Sequence, residues 1–473
     1  MKTVLAFDFG ASSGRAIKGV FDGKSIKYSE IHRFENVPKT VDGHICHDVN
    51  MILHEIKLAI DKAGKVDAMA FDTWGVDYAL IDKDGNIIYE PYHYRDGRTA
   101  DALEKAFSKM SASDIYAETG NQIMSINTLF QLISDENLCK ADKLLFMPDL
   151  FAYLLTGKKV CEISIASTSQ MLDMKNGTWS KKILDTFDIK EELFPKIKQS
   201  ATINGYYNGI PVISVAGHDT QCAVVAMPSQ RDNVAFLSCG TWSLIGCELD
   251  TPIMTEKSNA LELSNEMGAN GKVNFLKNIS GLWLIQETRR DLAKTEKKYS
   301  FNELEMLARD SQPFRSFIDP DAPDFLGHGD LPNKIRRYCK KTNQPVPTTT
   351  GQLIRCIYES LAMKYRLALT QISECTGKCF DVLHLMGGGT KDGFLCELTS
   401  QSLGIPVVAG PIEATALGNI ELQLIALGAI KDIDEGRRII AETERVVTFN
   451  EEHTSDWDEG FARFCKVIKR KDA

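Results

Sequence analysis

Apolar and polar positions along the chain repeat one theme. A short apolar run rich in β-branched residues is followed by glycine or small polar residues, then by a second such run or a stretch of helical period. Residues 3–10, T-V-L-A-F-D-F-G, lead through A-S-S-G-R at 11–15 into a run at 16–21, closed by Asp22-Gly23. That spacing predicts strand, tight turn, strand and a second turn. Further strands are expected at 66–71, which ends in D-T-W-G-V-D at 72–77, and at 78–81. Pro211 and the run 212–215 predict a buried strand, Gly217 a sharp turn, and 220–226 the start of a helix. In the second half, strands are expected at 234–239, 244–247, 273–277, 380–386 and 406–409. Helical period marks 100–109, 125–136, 148–155, 281–294, 353–374 and 392–403. Strands and helices interleaved over the whole length predict an α/β protein.

The hairpin around Gly10 returns around Gly240, where V-A-F-L-S-C at 234–239 leads into G-T-W-S at 240–243, close to half the chain later. A chain of 473 residues exceeds what one hydrophobic core serves. Two related domains are therefore expected, 1–228 and 229–473.

Composition narrows the partners. Hydrophobic residues at 43% and charged residues at 25% are ordinary for a soluble globular protein. A net charge of −9 disfavours nucleic acid or an anionic membrane as the main partner. Phosphate ligands stay compatible, because helix N-termini and backbone N–H groups hold them without net positive charge. No stretch approaches a membrane span, and Asp8 interrupts the only apolar N-terminal segment. A cytoplasmic protein is expected, with reduced, scattered cysteines and no protein partner implied. His44, Cys46, His47 and His54 form a denser group that could hold a metal; the alternation around them reads more simply as surface residues.

The candidate chemistry centres on G-H-D-T at 217–220. Asp219 stands at the mouth of a helix beside a strand end. A carboxylate there either caps the helix by accepting its unpaired N–H groups or serves as a general base toward a substrate hydroxyl. Asp8 ends the first strand just before a turn of small residues, where main chain can approach a ligand and an oxygen ligand for a divalent ion bridging phosphates is in place. G-G-G at 387–389, between strand and helix, is either a nucleotide-approach turn or a flexible connection. The small residues of G-P-I-E-A-T-A-L-G at 410–418 suit close helix packing or a ligand face.

Taken in order, F-D-F-G-A-S-S-G-R at 7–15, the turn at 217–220, Gly240-Thr241, the triple glycine and E-A-T-A-L-G at 413–418 resemble the FGGY family of carbohydrate kinases along nearly the whole chain. Stretches at 11–15, 72–77, 94–96, 237–243 and 277–283 are similar to the members that act on L-rhamnulose. The resemblance implies two actin-like (ribonuclease H-like) α/β domains with mixed sheets flanked by helices, and an active-site cleft between them where ATP and sugar meet. It implies transfer of the ATP γ-phosphate to the 1-hydroxyl of L-rhamnulose. Magnesium, held through water by Asp8, is expected to offset the phosphate charge. By the same resemblance Asp219 is the base. Gly75, His218, Thr220 and Asn278 contact the ketose, and Ala11, Ser12, Ser13, Gly14, Arg15, Thr241, Gln286 and Gly388 contact ATP. Two departures stand out: His47-Asp48 where relatives often show Trp-Asp, and Cys239 inside the second phosphate hairpin. A kinase for L-fuculose or xylulose and a non-kinase actin-like ATPase are the alternatives.

Overall fold

The first hairpin forms as its pattern predicts. Strand Lys2–Phe9 pairs antiparallel with Ser13–Phe21, and the Gly10 N–H closes the turn on the Ser13 carbonyl at 2.9 Å. The same strand pairs in parallel with Ala68–Thr73, so Asp8 lies opposite Arg15 on one side and Asp72 on the other. This is a computed structural model; it describes residues 1–10, 13–325 and 327–469. They fall into two units, the first being Met1–Gln230, Glu248–Leu276 and Glu413–Glu444, the second Arg231–Cys247, Lys277–Ile412 and Arg445–Ala473.

In the first unit six strands run in the order Thr202–Tyr207, Ile210–Ser214, Ala68–Thr73, Lys2–Phe9, Ser13–Phe21, Ile26–Glu35. Every residue of Ala68–Thr73 is buried, which explains its near-continuous apolar run: a parallel strand at a sheet centre is covered on both faces. Leu5, Phe7 and Phe9 join Met69, Phe71 and the helix residues Ile52, Ile56, Leu150 and Phe151 in one core. The period of two puts Val4, Ala6 and Asp8 on the other face with Ala68, Ala70 and Asp72. Their small side chains leave room for helix Ala414–Ala426, whose Gln423 Nε2 donates to the Leu5 carbonyl at 3.1 Å. That helix also packs on Asp219–Val225: a Cβ on Gly418 would fall 1.9 Å from the Cys222 carbonyl oxygen. Close helix packing is thus what the small residues before Gly418 serve.

The second unit repeats the wiring. Strand Val234–Cys239 pairs antiparallel with Trp242–Leu249 and in parallel with Val382–Met386, which continues to Val407–Ala409 and Val447–Phe449. Hairpin plus parallel neighbour is the arrangement of the first unit, as the return of the Gly10 pattern at Gly240 predicts. Helix Thr350–Thr376 starts where Thr349 accepts the Gln352 N–H and stops at Gly377 with φ 69°, slightly longer at both ends than its apolar period suggests. The expected helix 125–136 is only Thr128–Ile133. The triple glycine is an ordered 3₁₀ turn, not a loose connection.

The histidine and cysteine group is a correction. Cys46 and His47 are fully buried instead of lying on the surface, and among the described residues no three such groups converge as metal ligands. His47 Nε2 meets Asp77 Oδ2 at 2.7 Å, and the same oxygen accepts the Trp74 indole N–H at 2.9 Å, so the histidine props a core tryptophan. No helix among the described residues is long and apolar enough to cross a membrane.

Candidate active site

Glycine at 217 is dictated by packing: a Cβ there would meet Pro148 at 3.0 Å and Glu162 Oε2 at 3.2 Å. The turn is tied down on both sides. Thr73 N–H donates to the Gly217 carbonyl at 2.9 Å, and Gly217 N–H donates to Glu162 Oε2, also at 2.9 Å. Glu162 is buried but well supplied, accepting further from the N–H groups of Ser164 and Ile165 and the hydroxyls of Ser164 and Ser200. A buried carboxylate with several donors is a rigid anchor for the turn that follows.

The turn delivers Asp219 as the first residue of its helix. The capping position falls to His218, whose side chain makes no cap. Asp219 Oδ1 takes the N–H of its neighbour Thr220 at 2.6 Å, and about 33% of its side chain stays exposed. One carboxylate oxygen thus meets a free N–H of the helix start, and part of the side chain stays accessible to an incoming group. Burial raises its carboxyl above the usual aspartate range; the charge of His218 and the Thr220 N–H oppose this, and the charge of Asp8 adds to it. His218 contacts Glu266 through Nδ1 at 2.9 Å and stands 3.5 Å from Asp219 through Nε2. Burial alone would lower the imidazole pKa, but Glu266, Asp219 and Glu162 together raise it. Gly75 lies in the turn after Ala68–Thr73, half-buried against Thr168, while Trp74 beside it is core.

Asp8 pairs with Arg15, which also grips Glu413. These two carboxylates raise the guanidinium pKa against the opposing effect of burial, so the arginine is a fixed cation at the strand ends. Across the parallel pair, Asp72 is fully buried. Burial first, then the charge of Asp8, hold its carboxyl well above the usual range, although Asn419 donates to Oδ2 at 2.6 Å. Its Oδ1 has no hydrogen-bond partner. Asp8 offers hard oxygens at the strand end, and these fit a dication that would take most of its shell from water and ligand phosphate. Of the turn residues 11–15, Ala11 and Ser12 lie outside the described residues. Gly14 owes its identity to the Phe34 ring, 2.2 Å from where a Cβ would stand.

In the second unit the turn at 240–241 closes through Gly240 N–H to the Trp242 carbonyl at 2.8 Å. The Thr241 carbonyl accepts from Gly281 at 3.1 Å and Trp283 at 3.2 Å, tying the turn to the start of helix Trp283–Thr295, which carries half-buried Gln286. Asn278 lies near the end of strand Val273–Ser280. Of the triple glycine, Gly387 has φ 84° and Gly389 is pressed on the Cys239 sulfur, leaving exposed Gly388 as the open one. Burial pushes the Cys239 thiol up to about 11, the behaviour of an inert packing thiol.

Sequence reasoning missed Glu162, Glu266, Glu413 and Asn419. Glu162, Glu413 and Asn419 are polar side chains among apolar neighbours, a signal that a buried network is present but not of what it holds, whereas Glu266, in S-N-E-M-G at 264–268, carries no such signal.

The models for the FGGY family of carbohydrate kinases match both halves of the chain, the N-terminal domain over residues 3–233 and the C-terminal domain over 235–427. The chain is 39% identical to the rhamnulokinase of Bacteroides thetaiotaomicron, over 98% of this chain and 99% of that one. It is 37% identical to the rhamnulokinase of Bacillus subtilis, over 94% of each. Among solved structures, xylulose kinase of Lactobacillus acidophilus superposes with a TM-score of 0.81 at 17% identity, covering 99% and 98% of the two chains. Gluconate kinase of the same organism gives 0.80 at 16%, with the same coverage. These likenesses identify the actin-like two-domain α/β fold. The chain belongs to the FGGY family of carbohydrate kinases and is an ATP-dependent sugar kinase.

Proposed function

We propose that the protein is a rhamnulokinase: it moves the γ-phosphoryl group of ATP to the 1-hydroxyl of L-rhamnulose, giving L-rhamnulose 1-phosphate and ADP. The observation that carries this reading is the open Asp219 carboxylate on an anchored strand-to-helix turn, in a chain 39% identical to a rhamnulokinase over nearly its full length. Asp219 accepts the hydroxyl proton as the sugar oxygen bonds to phosphorus and the bond to the ADP oxygen breaks. Its raised pKa brings its basicity nearer neutrality, as a general base requires. Gly75, His218, Thr220 and Asn278 orient the ketose. Ala11, Ser12, Ser13, Gly14, Arg15, Thr241, Gln286 and Gly388 hold ATP, since phosphoryl transfer is mostly positioning and electrostatics. Asp8 would hold magnesium, which when bound offsets phosphate charge. Its place of work is expected to be the reducing cytoplasm, where buried thiols such as Cys222 and Cys239 stay reduced.

The test is ADP release with ATP and magnesium across L-rhamnulose, L-fuculose and xylulose. The highest kcat/KM is expected for L-rhamnulose. Preference for another ketose would overturn the substrate, and ADP release indifferent to every ketose would overturn the kinase mechanism.

A further inference from the structure

The hairpin Ser264–Met267 with Val273–Ser280 comes from the second half of the chain, yet through Leu276 it belongs to the first unit. Its cross-strand partners Glu266 and Asn274 both reach the helix that begins at Asp219. Asn274 Nδ2 donates to Gln221 Oε1, which fixes the Gln221 amide so that its Nε2 donates to Glu266 Oε2 at 2.7 Å. The same carboxylate oxygen faces His218 Nδ1 at 2.9 Å. All four side chains are buried. A carboxylate only accepts, so His218 must carry a proton on Nδ1 whether the ring is neutral or charged, and Nε2 is the atom aimed at Asp219. Histidine adjoining a base without such a partner could flip its ring or change tautomer.

We propose that Glu266 is a positioning residue for phosphoryl transfer: through His218 it fixes which ring nitrogen faces the Asp219 carboxylate and the sugar hydroxyl beside it. It touches no substrate and acts through the imidazole alone. Gln221 and Asn274 hold Glu266 in turn. The inference rests on Asp219 being the base.

The test combines kinetics with long-range ¹H–¹⁵N spectra of the histidine-labelled full chain. In the parent, the His218 pattern should show a proton on Nδ1. Glu266→Gln should lower kcat at saturating ketose roughly 10- to 100-fold, the order of loss that follows when the partner orienting a metal-bound imidazole is changed. KM for ATP should stay within about twofold, because positioning is lost and not nucleotide affinity. In a His218→Asn background the same change should cost nothing further, since both act through one ring. An unaltered kcat in Glu266→Gln, a multiplicative loss in the double variant, or an Nε2-protonated neutral ring in the parent would each overturn the proposal. The parent spectrum decides even if the variant fails to fold. A fully active Asp219→Asn would instead remove the base assignment, an outcome separable from these.

Discussion

Gly418→Ala adds a single methyl group where two helices touch through their backbones. The new Cβ would fall 1.9 Å from the Cys222 carbonyl oxygen and 2.7 Å from its carbon, whereas real Cβ contacts essentially never fall under 3.0 Å. The helices must therefore separate by about 1 Å, and neither neighbour is a flexible side-chain end that could swing aside. Overpacking of this kind costs about 3 kcal/mol, the upper end of the usual range, because backbone must move. For a domain of this size that lowers Tm by roughly 5 °C. Cys222 lies in the helix that opens with Asp219. With Asp219 as the proposed base, a shift of that order there should lower kcat on the order of 100-fold, with KM for ATP little changed. Gly393→Ala is the control: it stands first in its helix with nothing near its Cβ position, and should stay within about 1 kcal/mol of the parent. Calorimetry and the ADP-release assay read both variants. A Gly418→Ala protein with parental Tm and kcat would refute the claim that this contact sets the position of Asp219.

Two further variants test the buried charges. Asp72 has a folded pKa raised above its unfolded value, so the unfolded chain releases that proton first and stability falls as pH climbs from about 4 toward the folded pKa. Asp72→Asn removes this loss; its Tm advantage should be absent near pH 4 and grow toward pH 8, and a pH-independent offset would contradict the reading. Lys364 is buried between Asp319 at 2.8 Å and Asp321 at 2.9 Å. Lys364→Met should cost about 3 kcal/mol in denaturant unfolding by stranding two carboxylates, and adding Asp319→Asn with Asp321→Asn should restore most of it; no recovery would show that packing, not charge, is at stake.

Short-range pattern carried the strand ends and turns, because those depend on local chemistry. Asp8, Gly217 and the triple glycine stand where alternation stops and small residues begin, and the structure places each at the C-terminal end of a strand. The His47-Asp48 departure was visible too, but not its meaning, since only the fold brings His47 under Trp74 and onto Asp77. Glu266 and Glu413 were out of reach for the same reason. Their partners His218 and Arg15 lie 48 and 398 positions away in the chain. A hairpin and a helix pair from the second half complete the first unit, and periodicity reports only which face is buried, not what it meets.

The account turns on Asp219 taking the proton of the sugar hydroxyl. Asp219→Asn keeps the side-chain shape and can still accept the Thr220 N–H, but it removes the basic oxygen. With ATP, magnesium and L-rhamnulose, this variant should bind ATP within a few fold of the parent and release no ketose-dependent ADP; sustained ketose-dependent turnover at a rate near the parent's would contradict the account.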